Sequence, residues 1–332
     1  RDGLQMPNKK IMIIDALNMF LRSYVVNPSL GPNGDPIGGF YGFLKSMQKC
    51  IREIDPQEVH ICWDGPGGAV RKRSENKGYK EGRKPIKMNW NYSHLTDDDK
   101  LKNKVWQQLR LIEYLETLPV KQYLHKGIEA DDIIAYLCTF PGSKDAVKII
   151  VSSDKDFLQL CSNDTILYRP ISDSFETHKT VTEKYKVHPT NMALARAVEG
   201  DKSDNLPGVK GVGIKTLVKA FPFLSEDKFY GVDDILKGCR KVEKKMSVHK
   251  KLLESKDLLY SNYKMMQLYA PDIPIGVADG TKEVYNEPFS YSQKDFDAKL
   301  IKEGLGAYDW SSLRLFSRMV MNNQRTLAKQ GA

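Results

Sequence analysis

No apolar run in the 332 residues approaches the ~18 needed to cross a bilayer. No positively charged and then apolar leader opens the chain. Cysteine is scarce. The five cysteines (Cys50, Cys62, Cys138, Cys161, Cys239) are odd in number, widely spaced and without a CxxC pair, which excludes a disulfide framework and a zinc ribbon. A reducing, cytoplasmic compartment follows as the expectation. Internal repeats and low-complexity linkers are absent too. With 41% hydrophobic and 10% aromatic residues the chain can bury a core and is not disordered. Its length suggests roughly two domains.

The formal net charge is +9, with 51 Lys+Arg against 42 Asp+Glu. That excess is local. Residues 71–87 and 237–256 each hold eight basic and two acidic residues, and the rest of the chain is slightly acidic. Two basic blocks on an acidic body point to an anionic partner. The first block is interleaved with Tyr79, Trp90 and Tyr92, as in surfaces that stack single-stranded bases. The second has the composition of a helix's polar face.

Three short β-branched runs read as buried parallel strands: Lys10–Asp15, Val59–Asp64 and Val147–Asp154. Helical spacing falls between them, over Gly39–Ile51, Lys104–Leu118 and Glu129–Phe140. In the second of these Val105, Leu109, Ile112 and Leu115 form the apolar stripe. The alternation predicts an α/β fold with a doubly wound, mostly parallel sheet. Beyond residue 200 the pattern is mainly helical.

Each strand run ends in an aspartate, Asp15, Asp64 and Asp154, and the carboxyl ends of parallel strands share one rim. One such Asp is an ordinary turn former; three in a row are harder to explain so. Asp156 lies two residues past Asp154. Glu129, Asp131 and Asp132 open a helix, where acids also suit the dipole. Asp201 and Asp204 are three apart and would share a helical face. These nine carboxylates repel one another unless cations neutralise them. A donor set of oxygens alone, without His or Cys, selects Mg²⁺ or Mn²⁺. Two such ions about 4 Å apart suit phosphodiester hydrolysis.

Gly208–Thr216 (GVKGVGIKT) misses the phosphate-binding loop G-x4-G-K-[ST] by one residue, Ile214. It reads as a turn between two helices, where Gly211 and Gly213 let backbone N–H groups approach a phosphate and Lys215 adds charge.

The motifs IIDALN, WDG, YKEGRKP, GIEADD, SSDKDFLQL and EGDKSDNLPGVKGVGIKT together resemble the 5′-nuclease family. That family comprises flap endonucleases, phage 5′–3′ exonucleases and the 5′-nuclease domain of bacterial DNA polymerases. The resemblance covers roughly residues 10–270. It implies a first metal on Asp15, Asp64, Glu129 and Asp131, and a second served by Asp154, Asp156, Asp201 and Asp204, partly through water. Asp132 joins the same set. It implies that Lys80 and Arg83 contact the scissile phosphate at the base of a helical arch spanning about 71–110. It further implies that Arg71, Arg73, Tyr79, Lys84, Gly208, Gly211, Gly213, Lys215 and Thr216 contact nucleic acid. The last five form a helix-hairpin-helix element with a bound K⁺.

The implied activity is a two-Mg²⁺ 5′–3′ exonuclease and flap endonuclease acting on branched DNA, with RNA of RNA–DNA hybrids as a further substrate in primer removal. A monomeric, stand-alone, phage-like enzyme in the cytoplasm of a bacterial or infected cell is expected, with replication proteins as partners. The division expected is a tail (1–9), an α/β nuclease core (10–200), the hairpin region (201–270) and a C-terminal region (271–332) that matches no known pattern. Two rivals are a silent junction-binding protein and an RNA-directed nuclease of the PIN type. The first would lack metal ligands and the second the hairpin.

Overall fold

The computed structural model describes residues 9–81, 86–90, 92, 94–243, 246–271 and 273–330. In chain order the first half runs β1 (Lys9–Asp15), α1 (Ala16–Val26), α2 (Gly38–Ile54), β2 (Glu58–Cys62), α3 (Gly68–Glu75), α4 (Asp97–Leu115), β3 (Lys121–Tyr123), α5 (Ala130–Thr139) and β4 (Ala146–Val151). A 3-10 turn over Lys155–Leu160 leads to β5 (Thr165–Arg169), β6 (Ser174–Glu176), α6 (His178–Tyr185) and α7 (Pro189–Glu199). A two-residue hairpin, β7 (Gly200–Asp201) and β8 (Leu206–Pro207), precedes α8 (Ile214–Ala220). The chain ends through α9 (Val232–Lys241), α10 (Ser247–Glu254), α11 (Lys256–Met266), α12 (Ile275–Asn286), α13 (Gln293–Lys302) and α14 (Ser311–Gln330).

The strand pairs are mostly parallel and alternate with helices along the chain, so the fold is α/β as its alternating pattern implies. The chain divides into two compact units. Arg1–Trp63, Pro85–Leu124 and Pro274–Ala332 make the first, and Asp64–Lys84 with His125–Ile273 the second. All five cysteines are buried and none forms a disulfide. Among the described residues no helix is long and apolar enough to cross a membrane.

In the first unit the strand order is β3-β2-β1, all parallel. Ile11–Ile14 of β1 are fully buried, as a parallel strand covered on both faces must be. Helix α2 packs against α1 and α4, α14 against α2, and α12 against β3.

The apolar stripe on α4 is a correction. Val105 and Leu109 are exposed (46% and 58%), whereas Gln107, Leu111, Tyr114 and Leu115 are buried. The reason is a cap. Ile37, at the N-terminus of α2, offers no capping side chain. Gln107 Oε1 instead accepts from the Gly39 and Phe40 N–H groups at 2.7 and 3.2 Å. A polar side chain therefore faces the core, and the helix turns with it.

In the second unit β4 and β5 are parallel and β6 returns antiparallel. Helix α7 is central and packs against α11, α8 and the 3-10 turn. Strands β2 and β4 stop short of Asp64 and Asp154, which lie in the loops beyond. Asp201 and Asp204 are not on one helical face: Asp201 is in β7 and Asp204 in the turn of the hairpin. A Cβ on Gly200, at φ +79°, would lie 2.3 Å from Gly208 N, and one on Gly208 only 2.0 Å from Glu199 O. That close approach ends α7 and starts the hairpin. The segment Gly208–Thr216 thus follows a two-residue strand. The second basic block spans two helices, α9 and α10, rather than one.

His60, 1% exposed, sits inside β2. Its Nδ1 lies 2.8 Å from the Tyr123 hydroxyl and its Nε2 3.1 Å from Glu58 Oε2. This suits the neutral ring, with Nε2–H donating to Glu58 and Nδ1 accepting from Tyr123. Burial holds the imidazole below its usual 6.5, although Glu58 pulls the other way. Burial raises Glu58, but His60 and Lys9 outweigh it and hold the carboxyl at about 2. Both folded-state values are depressed. Their stabilisation is therefore full above the unfolded values and is lost as pH falls, first below 6.5 for His60 and then below 4.5 for Glu58.

Two outcomes follow. Gln107→Leu leaves two buried N–H groups without an acceptor and should cost about 2 kcal/mol or more, read from urea unfolding; an unchanged midpoint would refute the capping role. Thermal melts between pH 7.5 and 5 should show the native protein losing stability more steeply than His60→Gln. Equal slopes would remove His60 as the cause.

Candidate metal and phosphate site

Eight of the nine candidate carboxylates belong to the second unit, and Asp15 to the first. Asp15 ends β1 and caps α1, accepting from the Asn18 N–H at 3.3 Å.

Beyond β2 the chain turns sharply at Gly65, where a Cβ would lie 1.8 Å from His125 O. This brings Asp64 to the start of α5, and its Oδ1 accepts from Ala130 N–H at 2.8 Å. Asp64 thus caps the helix whose first residues carry the acids. Glu129, Asp131 and Asp132 each offer a carboxylate oxygen within 4.8 Å of the others.

Cations meet this group from the preceding segment. Lys72 on α3 places its ammonium 2.6 Å from Glu129, 3.3 Å from Asp131 and 3.9 Å from Asp132. Lys80 also pairs with Glu129. Lys80 has a left-handed backbone (φ +55°), uncommon for a side-chain-bearing residue. It is held there by donating its N–H to the Asp204 carbonyl at 2.9 Å. Burial pushes the Glu129 carboxyl up, but Lys72 and Lys80 prevail and hold it at about 2. Burial lowers Lys80 and its acidic neighbours, Glu129 first, raise it above its ordinary value.

Tyr79 is a correction. It is 2% exposed and cannot stack on a base. It packs with Ala197, Leu206, Met265 and Met266, and its hydroxyl donates to Glu129 at 3.2 Å.

The second group is built around the 3-10 turn. Asp154 caps it, accepting from Asp156 N–H at 2.8 Å. Arg196 on α7 donates to Asp156 Oδ1 at 3.0 Å and to Asp201 Oδ2 at 2.6 Å. Asp201 Oδ1 accepts from the Ser203 N–H and hydroxyl at 2.7 and 2.6 Å. Burial, then the charge of Asp154, pushes Asp156 up to about 7. Burial also raises Asp154, whose carboxyl feels Asp131 and Asp201 as well. Burial raises Asp64, although the Ala130 N–H opposes it. Asp64 and Asp154 keep solvent access while neighbouring atoms displace much of their water.

Lys72 and Arg196 are not among the candidates that the sequence pattern singles out. Lys72 was one of eight cations in a basic run. Arg196 had a signal: it is a lone charge within the apolar stretch of α7, Met192–Val198.

Among the remaining candidates, Arg83 and Lys84 lie outside the described residues, as does the Arg71 side chain. Arg73 is exposed and donates to the Tyr79 carbonyl at 3.2 Å. Gly208 is fixed by close packing, Gly211 has φ +73°, and Gly213 precedes α8. Lys215 and Thr216 are exposed on α8.

The donor set fits hard divalent cations. It is all oxygen, and burial first, then neighbouring carboxylates, raises Asp64, Asp154 and Asp156, so a bound cation would favour their ionised forms.

The family described as "5'-3' exonuclease, N-terminal resolvase-like domain" matches residues 10–186. The 5'-3' exonuclease of Aquifex aeolicus is 30% identical over 272 residues, covering 82% of this chain and 85% of that protein. DNA polymerase I of Caldicellulosiruptor bescii is 28% identical over 276 residues, 81% of this chain and 30% of the polymerase. In fold, the chain matches the bacteriophage T5 D15 flap endonuclease, solved as a pseudo-enzyme–product complex with DNA and metal ions. That match has a TM-score of 0.63 at 17% identity, over 96% of this chain and all of the other. With a sheet of the right kind, a carboxylate-rich second unit and this sequence kinship, the chain belongs to the 5'-3' exonuclease family of nucleases.

Proposed function

We propose that the chain hydrolyses phosphodiester bonds of DNA near single-strand/duplex junctions, as a 5′–3′ exonuclease and flap endonuclease, with two Mg²⁺ ions that Mn²⁺ can replace. The observation that carries this reading is the two-lysine embrace of buried Glu129 beside Asp131 and Asp132. It sets cations for a phosphate next to oxygens for a metal. The metal- and DNA-bound T5 relative supports it.

Bound divalent ions would supply an activated water and charge stabilisation for the leaving oxygen. Asp64, Glu129 and Asp131 are assigned to the first ion, with Asp132 behind them. Asp15 joins them on the sequence resemblance alone. Asp154, Asp156, Asp201 and Asp204 are assigned to the second. Lys80 is held at the edge of the first group, and its raised pKa keeps it charged to neutralise the scissile phosphate. Arg83 is its partner in that role.

Arg71, Arg73, Lys84, Lys215 and Thr216 bind backbone phosphates, with Gly208, Gly211 and Gly213 shaping a hairpin that takes K⁺. Phosphate contacts of this kind position a duplex without reading its sequence. RNA primers of RNA–DNA hybrids fall within the same chemistry, in a monomeric cytoplasmic enzyme working beside replication proteins.

A 5′-labelled flap duplex should be cut in Mg²⁺, not in EDTA, and not by Asp154→Asn plus Asp156→Asn. Undiminished cleavage by that double variant would overturn the metal assignment. Lys80→Ala should lower kcat by about 10²-fold with KM little changed. A change confined to KM would make Lys80 a binding residue only.

A further inference from the structure

Arg196 is one of the few charged groups buried inside the second unit (8% exposed), on a helix whose neighbouring residues are apolar. A buried guanidinium is costly unless its donors are used. Here they are. Nε and Nη2 reach Asp156, Nη2 reaches Asp201, and Nη1 lies 3.6 Å from Glu199. Asp156 comes from the 3-10 turn after β4 and Asp201 from the hairpin after α7. One cation therefore ties together two acids from separate segments. Asp201 is committed on both sides, to Arg196 through one oxygen and to Ser203 through the other.

The arrangement has two electrostatic effects of opposite sign. The guanidinium offsets the repulsion between Asp156 and Asp201, so they stay together before any ion arrives. The same fixed charge repels a second cation placed on the same carboxylates.

We propose that Arg196 is a positioning residue for the second divalent ion: it holds Asp156 and Asp201 in place without metal, and its charge keeps the ion weakly bound and readily exchanged. This rests on the assignment of Asp156 and Asp201 to that ion. In this role Arg196 acts through Asp156 and Asp201 rather than on substrate. Removing its charge should therefore tighten metal binding, whereas loss of a merely structural arginine would leave binding looser.

The test is Mn²⁺ titration without DNA, with free ion read by electron paramagnetic resonance, on native protein, Arg196→Gln, Arg196→Lys and the Asp154→Asn/Asp156→Asn double variant. The binding lost in the double variant identifies the second ion. If the double variant binds as native protein does, the underlying metal assignment fails, whatever Arg196 does. With that assignment intact, Arg196→Gln should bind the second ion about tenfold more tightly. Arg196→Lys, which keeps the charge, should stay within about threefold of native. The melting temperature of Arg196→Gln in EDTA should fall below native, and Mn²⁺ should raise it by more.

Unchanged or weaker binding by folded Arg196→Gln overturns the proposal. If that variant is unfolded in EDTA, refolding on Mn²⁺ supports it. Failure to refold at any Mn²⁺ concentration overturns it, as does loss of Mn²⁺ binding in Arg196→Lys.

Discussion

Like charges repel, and taking them out of water strengthens the repulsion while removing the solvent that would absorb it. The second unit gathers eight carboxylates, of which Glu129 and Asp132 are buried and the others partly shielded or exposed, and much of its local structure can be understood as the set of restraints that makes this tolerable. Some restraints are backbone dipoles: Asp64 takes the Ala130 N–H, and Asp154 takes the N–H of Asp156. Others are fixed cations, with Lys72 and Lys80 on Glu129, and Arg196 between Asp156 and Asp201. The compensation is partial. Burial, then the charge of Asp154, still pushes Asp156 up to about 7. Charge of the opposite sign is wanted there, and that is the electrostatic basis for divalent binding.

The restraints reach outward from the acids. Lys80 can face Glu129 because its backbone is held left-handed by the Asp204 carbonyl. The hairpin that carries Asp204 exists because Gly200 and Gly208 pass too close for side chains. Asn205, itself at φ +57°, ties the same hairpin back to the Gly78 carbonyl at 2.9 Å. Tyr79 fills the space beneath with Leu206, Met265 and Met266. Residues that resemble a nucleic-acid surface in sequence are, at Tyr79 and Gly208, parts of the frame that aims the charged groups.

The first unit shows the same logic with neutral partners. Gln107 caps α2 across the gap between helices, and His60 spends both ring nitrogens inside the sheet. Each is a polar group whose burial is tolerated because its hydrogen bonds are made. Each also breaks the apolar pattern by which a buried face is ordinarily recognised.

The α/β class, the three strand runs and the acidic candidates could all be read from sequence. β-branched runs and 3.6-residue spacing are local signals, and a carboxylate is a carboxylate wherever it sits. The family likeness is borne out by the family match over residues 10–186. What tertiary structure alone decided was orientation and pairing. It placed Val105 and Leu109 outside and Gln107 inside, because a cap on another helix outweighs the hydrophobicity of a stripe. It moved Asp201 and Asp204 off a helix, because glycine contacts eight residues apart in the chain force a hairpin. It also put Lys72 and Arg196 among the acids. The positions of the acidic residues in the sequence, not the net charge of +9, pointed to a gathering of negative charge. Which cations restrain it depends on through-space distances between segments far apart in sequence, and no local pattern encodes those.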